Sequence, residues 1–104
     1  MTTDGYEMQW VGWNNSFEKG VQHDKVWGWF VMKNGTPWCF WGARGKKLRY
    51  KKHTSLDSVR KVMRQKENKS YRYIPPADYD TLVKDFLDDV EVWCMSAILE
   101  DKVM

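Results

Sequence analysis

Cysteine is scarce in this chain. There are two, Cys39 and Cys94, far apart and outside any Cys-x-x-Cys pairing, which argues against a disulfide framework or a zinc ribbon. With no signal-like pattern in the opening residues, a reduced, cytoplasmic setting is the simplest expectation. Histidine is equally sparse. His23 and His53 have no companion at metal-ligand spacing, so no metal and no cofactor is expected. No apolar run approaches the ~18–20 residues that cross a bilayer, so a soluble protein with no membrane partner is expected. Groupings of Ser, His and Asp or of Cys and His at meaningful spacing are missing, and the glycines form no phosphate-binding loop. Asp78/Asp80 and Asp85/Asp88/Asp89 read as a helix cap and a solvent face rather than a general acid–base pair. The chain is therefore not expected to be an enzyme. No internal repeat or low-complexity linker divides its 104 residues, which suit one domain with a single core.

Tryptophan is abundant. Of seven in the chain, six lie before residue 42. Each ring brings ~150–250 Å² of contact surface, so a small sheet can substitute aromatic burial for chain length. Charge is strongly segregated beneath a net value of +3. Residues 1–42 carry three Lys against four acids, residues 43–72 twelve Lys or Arg against Asp57 and Glu67, and residues 73–104 two Lys against eight acids. The middle third, at +10, frames the question of partners.

Residues 6–13 alternate as a strand, 14–24 are polar and turn-rich and read as a loop, and 25–33 form a strong aromatic and β-branched strand. Asn34-Gly35 predicts a type I′ hairpin returning through Thr36–Trp41, with Pro37 at a strand start or edge. The basic run 46–53 reads as a further strand, with Leu48 and Tyr50 on a packed side and Lys47, Arg49 and Lys51 on a cationic one. Thr54 or Ser55 caps a helix, Asp57 is placed to complete a capping box, and Leu56, Val59 and Val62/Met63 form the apolar stripe. Arg60, Lys61, Arg64 and Lys66 lie elsewhere on that helix. Residues 70–74 suit a last short strand. From Asp78, the spacing of Tyr79, Leu82, Val83, Phe86, Leu87 and Val90 predicts an amphipathic helix with an acidic outer face. Through Val90–Ile98 the helical phase competes with good strand material, and a continuing helix is favoured. The fold class expected is α+β: an antiparallel sheet of four to five strands, one packed helix, and a C-terminal amphipathic helix.

In order, "DKVWGWFVM", "WCFWGARGKK" and "SLDSVRKVMRQKENKSYRYI" resemble the WGR domain family, named for its Trp-Gly-Arg motif. The resemblance covers about residues 6–74, with 75–104 as an acidic helical extension on the same domain. It implies a sheet-plus-helix module, stand-alone here, of a kind found in small bacterial proteins, that contacts DNA backbone, ends or breaks through the motif turn and nearby basic residues. Trp41 and Gly42 match the first motif positions and Gly45 the later glycine. Ala43 stands at the arginine position, and arginine follows at Arg44.

Nucleic acid requires cations for phosphates and flat faces for stacking. Residues 41–72, with Tyr73 just beyond, offer both: Trp41, Tyr50, Tyr71 and Tyr73 among a dense set of Lys and Arg that includes Lys69. The candidate contact set is Trp41, Gly42, Arg44, Lys46, Lys47, Arg49, Lys51, Lys52, Arg60 and Arg64, with DNA, as duplex or ends, the expected partner. The alternative is a bacterial or phage adaptor or inhibitor that engages a protein through the 78–101 helix.

Overall fold

A computed structural model of the chain describes residues 2–3 and 5–100, with side chains from 5 onward; the last residues of the expected helical extension, 101–104, lie outside the described residues. The fold is α+β. Strands β1 (Thr2–Thr3), β2 (Tyr6–Glu18), β3 (Val21–Met32), β4 (Pro37–Ala43) and β5 (Arg49–Lys52) form one antiparallel sheet in sequence order. Helix α1 (Leu56–Glu67) follows, and β6 (Arg72–Tyr73) returns to pair with β2. After a 3₁₀ turn at Pro76–Asp78 and a π-helical turn at Tyr79–Val83 comes helix α2 (Lys84–Leu99), so Val90–Ile98 is helical.

The stretch 14–24, expected as a loop, instead extends β2 and β3 into a long hairpin with register continuing to Glu18↔Val21. Its two-residue turn, Lys19-Gly20, has φ +50° and +78°. Positive φ at both central positions suits the right-handed twist of the strands, so Lys-Gly does here what Asn-Gly is expected to do. The Asn34-Gly35 turn is different. Met32 O accepts from Gly35 N (2.8 Å) while Met32 N donates to Thr36 O (2.9 Å), and only Gly35 has positive φ (+89°). That is the three-residue hairpin with a glycine bulge, not type I′.

Both faces of the sheet are apolar. One carries Tyr6, Met8, Val11, Val26, Phe30, Met32 and Phe40 and is covered by α2 through Phe86, Val90 and Cys94. The other carries Trp10, Trp27, Trp29 and Cys39 and is covered by α1 through Val59. A bulge at Gln9 shifts the register between Met8↔Phe30 and Trp10↔Trp29. The extra residue reverses the alternation, which sends Met8 to one face and Trp10 to the other. Trp93 of α2 anchors its side: its ring stacks on Tyr50 (4.4 Å, 10°) and meets Trp38 (4.9 Å) and Phe30 (5.9 Å). Tyr50 also donates to Asp89 (2.8 Å), so this ring is a core contact and not a stacking surface.

Ser55 is the N-cap of α1, accepting from Ser58 N at 3.1 Å. That puts Ser58 at the third helical position, so Asp57 completes no capping box and acts only as a first-turn acid favoured by the helix dipole.

Gly28 is where the aromatic layers close on the backbone. A Cβ there would lie 2.4 Å from the Phe40 ring and 2.7 Å from the Trp10 carbonyl oxygen. The carbonyl belongs to a paired strand and cannot swing away. Gly28→Ala is expected to cost about 1–3 kcal/mol, the range for overpacking a filled interior. Urea denaturation monitored by tryptophan fluorescence measures it, and an unchanged midpoint would contradict this packing.

Candidate nucleic-acid interface

The Trp-Gly turn takes shape from β4 running out at Ala43. Lys46 N donates to Ala43 O (3.0 Å), and Gly45 takes φ +79°. Arg44 therefore sits at the corner of a tight turn, and its backbone N–H donates to Asp24 O (2.9 Å). Its side chain turns toward α2. Arg44 Nε donates to Asp24 Oδ2 (2.8 Å), Nη1 to Asp85 Oδ1 (2.5 Å) and Nη2 to the Leu82 carbonyl (3.0 Å). The guanidinium lies 4.7 Å from the Phe86 ring centroid and 5.6 Å from that of Trp13. Trp13 Nε1 donates to the second Asp24 oxygen at 2.7 Å. Burial by itself would raise the Asp24 carboxyl, but the hydrogen bonds from Arg44 and Trp13 outweigh it and hold the group below its ordinary value. The hydrogen bond to Asp24 likewise raises Arg44. Arg44 is thus a clasp between the turn and α2, with both ends of its fork already engaged.

The other expected residues separate into groups. Trp41 is half-buried on the α1 face, in register with Trp27 and Arg49. Arg49 and Lys51 are exposed on that same face, opposite Trp41 and Cys39. Lys46 and Lys47 are exposed in the β4–β5 loop, since β5 begins only at Arg49. Lys52 pairs with Trp38 and so belongs to the other face. Gly42 packs against Leu48, 2.8 Å from where its Cβ would be. Arg60 lies at the far flank of α1, beside Glu7, Trp29 and Val31, and Arg64 is one turn along the same flank.

Sequence order does not reveal a second cluster. The β3–β4 register brings Lys25 level with Ala43, close to the last turn of α1. Lys25 and Lys66 both sit over the Tyr71 ring, at 5.9 and 5.6 Å. Lys66, expected among the outward cations, is partly buried, and burial lowers its pKa, helped by the charges of Lys69 and Lys25. Repulsion of this kind leaves a cluster that an arriving anion relieves. Lys25 lies in a segment with no net positive charge, so only the strand pairing could have disclosed it. The assembled margin is Lys25, Trp41, Arg49, Lys51, Lys66, Lys69 and Tyr71. Tyr73, 48% exposed beside Trp10, extends the aromatic surface along β2.

One grouping near this margin resembles catalytic machinery. His53 Nδ1 lies 2.9 Å from Ser58 Oγ, and Nε2 lies 3.3 Å from Cys39 Sγ. Cys39 is only 3% exposed, and burial pushes its thiol up to about 11. A buried thiol held protonated is no nucleophile. The trio is a packing contact between β4 and α1. Among the described residues no helix is long and apolar enough to cross a membrane.

His53 gives the fold a pH dependence. Burial, aided by the Lys51 charge, lowers its pKa below the ordinary 6.5. Above that value, folded and unfolded chains both hold the ring neutral. Below it the unfolded chain takes the proton first, so this contribution to stability falls as the pH drops and levels off beneath the folded-state pKa. Asp24 titrates below 3.8, outside this window. Urea midpoints of the protein should decline between about pH 7 and pH 5, whereas His53→Gln, lower at the start, should lose less over the same range. Parallel declines would remove His53 as the cause. Comparison of the chain with family models, with characterised proteins and with solved structures finds no match.

Proposed function

We propose that the protein is a non-catalytic nucleic-acid-binding module that grips DNA backbone, as duplex or at ends, with the margin of the α1 face. The observation that carries this reading is the pairing of its cations. Of twelve Lys and Arg in residues 43–72, Arg44 is the one with an ion pair among the described residues. A basic surface that merely docked the protein's own acidic helix would show those pairs, and α2 instead engages Arg44 and its own Lys84. Cations with neighbouring aromatic faces supply phosphate contact and stacking from one surface. The WGR resemblance supports the same reading, although the phosphate contact moves from Arg44 to Lys25, Arg49, Lys51, Lys66 and Lys69, with Trp41 and Tyr71 alongside. A cytoplasmic setting belongs to the proposal, and the two free, buried cysteines suit a reducing compartment.

Fluorescence anisotropy with blunt, nicked and closed circular DNA across a salt series tests it. Neutralising ~3–5 phosphates predicts a log–log slope of about −3 to −4.5. Changing Arg49, Lys51 and Lys69 together to Glu should abolish binding. Lys52→Glu with Arg64→Glu, on the opposite face and the far flank, should weaken it much less. No binding at low salt would overturn the proposal, and equal losses in the two variants would overturn the assignment of the surface.

A further inference from the structure

Helix α2 buries one side and leaves a second apolar stripe on the other. Val92, Met95 and Leu99, at i, i+3 and i+7, are 67%, 46% and 82% exposed. Such a spacing aligns them along one face. Asp88 and Glu91 flank the stripe at its N-terminal end, and both are exposed. On the opposite side of the molecule, α1 stops short of the end of the sheet formed by the start of β2 and the β3–β4 turn. A groove of about 720 Å³ remains there, with Trp29, Val31 and Leu56 among its apolar lining and Arg60, Lys33 and Glu7 at its polar edge. Leu56 is 40% exposed. Glu7 accepts from Gln9 at 3.0 Å, while Arg60 and Lys33 have no ion pair among the described residues.

We infer that the α2 stripe of one copy docks in the α1-side groove of a second copy. The argument is complementarity of both chemistry and charge: an apolar row beside Glu91 and the Lys84-paired Asp88 faces an apolar groove edged by two cations and one acid. More broadly, the last third of the chain is net −6 and the middle third +10, and the sheet holds the two helices on opposite faces. Pairing stripe with stripe would instead bring two acidic helices together. Docking stripe to groove is heterologous: in each docked pair one copy keeps its groove free and the other its stripe, so the contact extends beyond a dimer. The proposed nucleic-acid margin lies at the other end of α1 and stays uncovered. The inference therefore stands or falls independently of the function proposed above.

Sedimentation velocity without nucleic acid tests it. The average mass should rise with protein concentration beyond that of a dimer, and less so at high salt. The concentration series runs to about 1 mM, where even a weak contact is populated. Two variants, each confirmed folded by circular dichroism, make the test specific. Val92→Glu/Leu99→Glu blocks the stripe and Leu56→Glu/Arg60→Glu blocks the groove, and each alone should remain monomeric. Mixed, they should form a one-to-one complex and nothing larger, because each retains the half the other lost. A wild type that stays monomeric throughout, a blocked variant that assembles alone, or a mixture that does not associate would each overturn the inference.

Discussion

Both faces of one small sheet are lined with aromatic rings, and neither can be left in water. That constraint organises the molecule. The alternation of side chains along β3 puts Val26 and Phe30 on one side and Trp27 and Trp29 on the other, so a single helix cannot bury the set. Helix α2 is therefore part of the core and not an appendage. Its Trp93 fills a space among Phe30, Trp38 and Tyr50 that would otherwise be open. The charged clasp at Arg44 sits at the rim of that interface and fixes the helix at its first turn.

Helix α1 has the opposite problem. Its twelve residues span ~18 Å, and the twelve residues of β3 beneath it span ~40 Å. Face is left over at both ends of the helix. At one end Trp29 and Val31 line a groove; at the other Trp41 and Tyr71 lie half-covered among lysines. Both binding proposals thus trace to a mismatch in length between a helix and a strand. The cations at the margin ring that apolar remainder.

Much of this was legible in the chain. The strands around Trp27, the short returns at Pro37 and Tyr73, the helix from Ser55 and the helical phase through Ile98 all follow from local periodicity and capping. Other features were not. The Lys19-Gly20 turn is hidden because lysine rarely takes positive φ, and only the closing of the hairpin enforces it. The bulge at Gln9, which decides the face for Trp10, depends on register with β3 and leaves no local mark. The site was half legible: Arg49 and Lys51 have the expected side, but Arg44 faces two carboxylates distant in sequence, and Lys25 joins the cluster only through strand pairing. Residues that meet across elements are invisible to patterns read along one element.

The connectivity also has a kinetic side. From β1 through β5 each strand pairs with its immediate successor, so the sheet is built from contacts local in sequence and should form quickly. The helix that covers its second face follows the whole sheet in sequence. During synthesis, the Phe30, Phe40 and Trp38 surface is complete before Trp93 has left the ribosome. For that interval the nascent domain presents an aromatic face to its surroundings, the kind of surface on which chains aggregate or chaperones settle. Shortening or delaying α2 would accordingly be felt first as a loss of soluble yield.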